Sequence, residues 1–332
     1  MKSTLQTKQP GQKPSWLKRN LPTGSEYEKV RQLLSRSNLH TVCQEAKCPN
    51  MWECFSRQTS TFMIMGDQCT RNCRFCNVKT GNPLSLDPGE PTRVAKAALE
   101  LGLKYVVITS VTRDDLEDGG ASHFAATINQ IRNFIPQGIK IEVLIPDFQG
   151  SPEALNTVME AWPDVLNHNI ETVPSLYSTV RPEAQYERSL ELIQRASRYE
   201  KSSSLPKVSS LLQSPLSLVS LPAKEQKLLA EKNSVISGST TTTAISRTTP
   251  VKSGIMVGLG ETKEELQKTI QDLYQHGCRI LTIGQYLQPS AKHLPVMKYY
   301  EPKEFDELKE FAESMGFESV ASAPFVRSSY EA

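Results

Sequence analysis

The feature that most restricts this fold is an alternation. Six short β-type apolar runs, at residues 61–65, 105–109, 139–145, 165–170, 254–257 and 280–285, are mostly separated by helical patterns. The helices show themselves by a period of about 3.6 residues. Val94, Ala97, Ala98 and Leu101 share one face of 92–101; Ile128 and Ile131 repeat the pattern in 124–134, and Leu190, Leu192 and Ile193 in 189–196. The stretch 264–276 follows Gly260-Glu261-Thr262 and ends before Gly277, so it has both a start and a stop signal. Strand, helix, strand in repetition demands parallel strands joined by right-handed crossovers. The fold class is therefore α/β, and six units predict an incomplete (β/α)6 barrel. A doubly wound open sheet shares the alternation and stands as the alternative.

Residues 201–250 break the pattern. They are dense in serine and threonine, carry Pro206, Pro215 and Pro222, and offer only scattered leucines and a short helical stretch at 223–232. A structureless loop of that length does not belong inside a compact core, so the segment reads as a largely disordered surface insertion. The expected division is an N-terminal arm (1–60), the barrel (61–300) and a C-terminal helix with a tail (301–332).

The cysteines narrow the chemistry. Six of the seven fall between Cys43 and Cys76, a dense cluster in a chain of 332 residues rather than a spread disulfide scaffold. They form two triads: Cys43, Cys48 and Cys54, then Cys69, Cys73 and Cys76. Structural zinc wants four closed ligands, and a cluster that only transfers electrons normally has four cysteines. Three thiolates on an iron–sulfur cubane leave one iron open. The second triad follows the first strand, at the end of a barrel where active sites form. A zinc ribbon is the bland alternative, but this chain has only one C-x-x-C pair, Cys73–Cys76.

The spacing C-x-x-x-C-x-x-C after a first barrel strand resembles the radical S-adenosylmethionine superfamily. The preceding C-x-x-x-x-C-x-x-x-x-x-C, with Glu45-Ala46-Lys47-Cys48-Pro49-Asn50, is similar to the lipoyl synthase family. So are Val111-Thr112-Arg113-Asp114-Asp115-Leu116, Asp118-Gly119-Gly120, His168-Asn169-Ile170-Glu171-Thr172, the stretch 252–261 and the closing Arg327-Ser328-Ser329-Tyr330. The resemblance runs from about Trp16 to Tyr330; the 201–250 segment has no counterpart in it. It implies two 4Fe-4S clusters and S-adenosyl-L-methionine as cofactors. Cys69, Cys73 and Cys76 would hold the cluster that binds S-adenosylmethionine. Cys43, Cys48, Cys54 and Ser328 (rather than Ser329) would hold an auxiliary cluster that gives up its sulfur. The implied reaction is insertion of two sulfurs at carbons 6 and 8 of an octanoyl group on a lipoyl carrier protein or domain. An electron donor such as ferredoxin or flavodoxin is the implied second partner. Another auxiliary-cluster sulfur-inserting enzyme, such as a relative of biotin synthase, is the rival enzyme reading, and a non-catalytic metal-binding protein the rival outside catalysis.

Further candidates follow from position. Asn169 and Glu171, at the end of the fourth strand, are placed to bond the methionyl or ribose groups of the cofactor, or to form a satisfied polar pair. Phe75 packs near an adenine or shields a cluster. Arg113, Asp114 and Asp115 follow the second strand and face ligand or solvent. Gly258 and Gly260 suit either a cofactor approach or a tight turn. His123, His276 and His293 lack ligand spacing to one another, and Cys278 reads as a packed thiol. The net charge of +2 points to neither nucleic acid nor membrane. The basic, acid-poor start, interrupted by Pro10 and Pro14, reads as an ordinary terminus in the cytoplasm, with an organellar transit segment as the alternative.

Overall fold

The computed structural model describes residues 13–17, 25–46, 48, 50–56, 61–200 and 248–329. The readings placed on 201–247, a disordered insertion with a short helix, lie outside the described residues, as does Tyr330. The strands are β1 (His40–Thr41), β2 (Thr61–Ile64), β3 (Gln68–Cys69), β4 (Lys79–Thr80), β5 (Tyr105–Ser110), β6 (Lys140–Leu144), β7 (Val165–Asn167), β8 (Val251–Val257), β9 (Ile280–Gln285) and β10 (Ser319–Ser322). β3 and β4 form a small pair; the other eight make one sheet in the order β1-β2-β5-β6-β7-β8-β9-β10. From β2 to β10 every pairing is parallel, and only β1 is antiparallel.

All six expected runs are strands of this sheet. β10 is a seventh parallel strand, which the pattern missed because Val320 is the one large apolar residue in Ser-Val-Ala-Ser. The helix Pro152–Glu160 between β6 and β7 was also missed, although Ser151 caps it through the Ala154 N–H at 3.2 Å and Pro152 opens it. The sheet is linear in its pairing, with β1 and β10 at its edges, so it does not close. It is nevertheless strongly curved, because β2 and β9 both line one cavity. That settles the alternation in favour of an incomplete barrel.

Strand interiors are buried on both faces, since crossover helices such as Glu90–Glu100 and Ala121–Phe134 cover the outside. Phe124, Ile128 and Ile131 turn one helix face onto the sheet, as their spacing requires. The inner face follows from alternation: Thr109, Leu144, Asn169, Gly254 and Thr282 all line the cavity. Residues two positions earlier, Glu142, Asn167 and Lys252, therefore also point inward. No helix among the described residues is long and apolar enough to cross a membrane.

Candidate active site

The second cysteine triad sits on a loop that begins with a forced turn. Met65 (φ 69°) and Gly66 (φ 94°) both adopt left-handed backbone directly after β2. The Met65 N–H donates to the Glu90 carboxylate at 2.8 Å, and His123 Nε2 lies 2.7 Å from the same oxygen. Met65 packs over Gly120, where a Cβ would lie 2.3 Å from its sulfur. Asp118-Gly119-Gly120 is thereby explained: Asp118 accepts from the Gly120 and Ser122 N–H groups, and the glycines make room.

Beyond the turn, the loop is tied to the ends of β5 and β6. The Thr70 N–H and hydroxyl both donate to the Thr112 carbonyl, at 3.1 and 3.0 Å. Arg71, almost fully buried, makes a two-pronged bond to Asp114 at 2.6 and 2.8 Å and a third to Asp147 at 2.6 Å. Burial pushes the Asp147 carboxyl up, but the Arg71 hydrogen bond and charge outweigh it and hold it at about 2. Thr112 N–H and Arg71 N–H point at Cys69 Sγ, at 3.3 and 3.5 Å, ready to stabilise a thiolate. Arg113 does not meet solvent or the cavity; it is buried and paired with Asp115 at 2.8 Å.

The first triad lies across the same cavity. Thr41 caps the short helix Val42–Glu45 that carries Cys43, and Cys54 lies in Met51–Ser56. Asn77, one residue past Cys76, donates to the Glu45 carbonyl at 2.8 Å and joins the two triads. Asn50, between Cys48 and Cys54, donates to the Phe325 carbonyl at 2.7 Å and joins the arm to the C-terminal tail.

A cavity of about 490 Å³ at the C-terminal ends of the strands gathers these pieces. It is lined by Cys43, Cys48, Cys69, Cys73, Cys76, Phe75, Asn169, Glu171, Ser328 and Ser329; Cys54 does not line it and packs against the core. None of the cysteines is in a disulfide. Among the described residues no three His, Cys, Asp or Glu side chains gather closely enough for a single ion. Thiolates on three corners of a cubane stand further apart than thiolates on one ion, so the donor set suits the larger group. Burial pushes the Cys43 and Cys76 thiols up to about 12 and raises Cys73 as well, although Arg181 opposes the shift at Cys73. Such thiols become thiolates when a bound metal ion supplies the positive charge.

On the far wall, Asn169 Nδ2 donates to Glu171 Oε1 at 3.0 Å, while Asn169 Oδ1 is buried without a hydrogen-bond partner. Burial raises the Glu171 carboxyl, against the pull of Arg181 and the Asn169 bond. Glu171 holds φ 67°, a strained conformation fixed by its backbone bridge to β8. Gly254 is required opposite: a Cβ there would sit 2.8 Å from Asn169 Oδ1 and 2.9 Å from Thr282 Oγ1.

Phe75 lines the cavity and also packs in an apolar cluster with Val180, Leu259 and Tyr286, a position that suits both an adenine contact and a shielding role. Gly258 and Gly260 do not line the cavity. They form a left-handed turn whose three N–H groups, of Gly258, Leu259 and Gly260, donate to the Glu261 carboxylate at 2.5, 2.9 and 3.0 Å. His293 meets the Cys76 carbonyl at 3.0 Å, and Cys278 is a buried thiol that donates to the Ile280 carbonyl. Arg181 was missed: it is a buried cation in the cavity wall, donating to the Asn169 carbonyl at 2.9 Å with its Nε unpartnered. Its sequence signal, one arginine before Pro182, is too plain to single out.

Two family models match the chain: the radical SAM superfamily at residues 63–206, and the N-terminal domain of lipoyl synthase at residues 1–48. A lipoyl synthase of Caldicellulosiruptor saccharolyticus is 47% identical over 326 residues, covering 98% of this chain and 96% of the relative. A lipoyl synthase of Desulfotalea psychrophila is 51% identical over 320 residues, covering 96% and 91%. Among solved structures, methylornithine synthase matches with a TM-score of 0.46 and 14% identity, over 92% of this chain and 85% of that one.

Proposed function

This chain belongs to the lipoyl synthase family, and we propose that it inserts two sulfur atoms, at carbons 6 and 8, into an octanoyl group on a lipoyl carrier protein or domain. The observation that carries this reading is that five of the six clustered cysteines, drawn from both triads, line one cavity together with the tail serines. Cys69, Cys73 and Cys76 would hold the 4Fe-4S cluster that binds S-adenosylmethionine; Cys43, Cys48, Cys54 and Ser328 would hold the auxiliary cluster. When bound, these groups supply a 5′-deoxyadenosyl radical for hydrogen abstraction and the sulfur that replaces the hydrogen.

The chain's own residues do the rest. Asn169, with its unpartnered oxygen, and Glu171 orient the cofactor's polar groups. Arg181 offsets the negative charge that thiolates and carboxylates bring to a buried wall. Phe75 and its apolar neighbours exclude water, which keeps a reactive radical from side reactions. A serine oxygen holds iron less firmly than a thiolate, so Ser328 would be the most readily released donor to the auxiliary cluster.

In this scheme 1–60 is the arm of the auxiliary cluster, 61–300 the catalytic barrel and 301–332 the segment that closes the site. The partners are the octanoylated carrier and a one-electron donor such as ferredoxin or flavodoxin. The setting is the reducing cytoplasm, which keeps cluster thiols reduced.

The test is anaerobic turnover of the reconstituted protein with an octanoylated carrier peptide, read by product mass and 5′-deoxyadenosine. Alanine at Cys43, Cys48 and Cys54 is expected to retain 5′-deoxyadenosine release but give no thiolated product. Alanine at Cys69, Cys73 and Cys76 abolishes both. Release that persists in the latter variant refutes the assignment.

A further inference from the structure

The C-terminal tail runs inside the curved sheet. The Gln285 N–H donates to the Pro324 carbonyl at 3.3 Å, and a Cβ on Gly284 would lie 2.1 Å from the Val326 carbonyl oxygen. The tail therefore lies directly on the inner face of β9. It then reaches β7, where Asn167 Nδ2 donates to the Ser328 carbonyl at 3.1 Å.

Asn167 does not present this donor by chance. Its amide also donates to Glu142 Oε1 at 2.8 Å, and the other Glu142 oxygen takes Lys252 Nζ at 3.1 Å and the Tyr105 hydroxyl. Glu142, Asn167 and Lys252 are essentially unexposed. A buried ion pair is a poor source of stability, because desolvation offsets most of its attraction. What it supplies here is direction. A carboxylate only accepts, so the Asn167 NH2 must face Glu142, and its second hydrogen is left for the tail. A carbonyl such as that of Ser328 can be met only by a donor. The contact uses the backbone of Ser328 and leaves its hydroxyl for other work, while Asn50 holds the tail from the arm side at Phe325.

We propose that Asn167, oriented by the Glu142–Lys252 pair, is a positioning residue that sets Ser328 against the auxiliary triad. The proposal rests on the reading of Ser328 as fourth ligand. Two measurements separate the two ideas. Hydrogen exchange of the tail amides is followed in the reconstituted protein, and the electron paramagnetic resonance spectrum of the reduced auxiliary cluster is recorded with Cys69, Cys73 and Cys76 replaced by alanine. Asn167→Ala is expected to speed exchange at 326–329 about tenfold, as loss of one hydrogen bond allows, and to move the spectrum toward that of Ser328→Ala. Gly284→Ala, which crowds the tail without touching the Glu142–Lys252 pair, should do the same if Asn167→Ala does not fold. A spectrum unmoved by Ser328→Ala overturns the ligand reading and this proposal with it. A spectrum moved by Ser328→Ala but by neither Asn167→Ala nor Gly284→Ala overturns the positioning role alone.

Discussion

Replacing Arg71 by methionine tests whether the cysteine loop is held by buried charge. The substitution keeps most of the apolar stem and removes the guanidinium from between Asp114 and Asp147. A carboxyl held at about 2 rather than 3.8 corresponds to roughly 2.5 kcal/mol, at about 1.4 kcal/mol per tenfold change in acidity. The variant also leaves the Asp147 side chain, which has no exposed surface, with the Gln149 N–H at 3.1 Å and, as its one remaining charged partner among the described residues, Arg188 at 3.4 Å. Removing one partner of a buried pair costs about 3–5 kcal/mol, and we expect a loss in that range at pH 7. The pH dependence gives the sign. Asp147 is depressed in the folded protein, so its contribution is complete above about 3.8 and is lost as pH falls toward 2. In the variant burial is less opposed, Asp147 takes up a proton at higher pH, and the gap to the parent protein narrows on acidification. Urea unfolding at pH 7 and pH 4.5, with iron content measured beside it, reads both effects. Adding Asp147→Asn removes the stranded charge and should recover at least about half of the loss. A single-variant cost below about 1 kcal/mol, or a gap equal at both pH values, refutes the reasoning.

His168 is held at about 4 by burial and by Arg181, and stays neutral between the Ile145 carbonyl (2.9 Å) and the Ser189 hydroxyl (2.9 Å). The unfolded chain protonates it below about 6.5, so about 3 kcal/mol of stability is lost between pH 6.5 and 4; His168→Gln should flatten that slope in thermal melts, and an unchanged slope would count against it. Gly254→Ala drives a methyl into Asn169 and Thr282, costing about 1–3 kcal/mol. It should raise KM for S-adenosylmethionine more than it lowers kcat, as followed by 5′-deoxyadenosine release, and an unchanged KM would argue against a cofactor role for Asn169.

The barrel was legible because the first six parallel strands are apolar runs, several of them rich in β-branched residues, and most crossover helices carry an amphipathic face; Val106-Val107-Ile108 could hardly be anything but a central strand. β10 was not, because it is bound mainly by backbone pairing to β9 and buries one large side chain. In the site, the cysteines announce themselves by spacing. The residues that hold them do not: Arg71 is one basic residue among many, and Asp147 is 76 positions away from it. Glu261 looks like a helix-start acid, yet it closes the glycine turn before the helix, leaving the capping box to Thr262 and Glu265. Such roles depend on which loops meet in space, which no local pattern encodes.

The parts of the site share one problem. The cysteine loop lies beyond the strands, the arm packs against the apolar core and the tail lies on the inner face of β9, so strand pairing alone does not fix their direction. Each is also fastened by polar contacts to a barrel strand, a crossover helix or a neighbouring loop. Glu90 and His123 secure the Met65 turn, and Arg71 with Asp114 and Asp147 secures the loop. Glu142, Lys252 and Asn167 secure the tail. Apolar packing would stabilise these segments as well, but it tolerates sliding, whereas hydrogen bonds to charged groups fix direction as well as distance. A reaction that brings a radical and a sulfur donor to the same carbon tolerates little misplacement. The buried charges are therefore best understood as set by geometry rather than by stability, and variants that remove them should lose placement of the cysteines and Ser328 before they lose the fold.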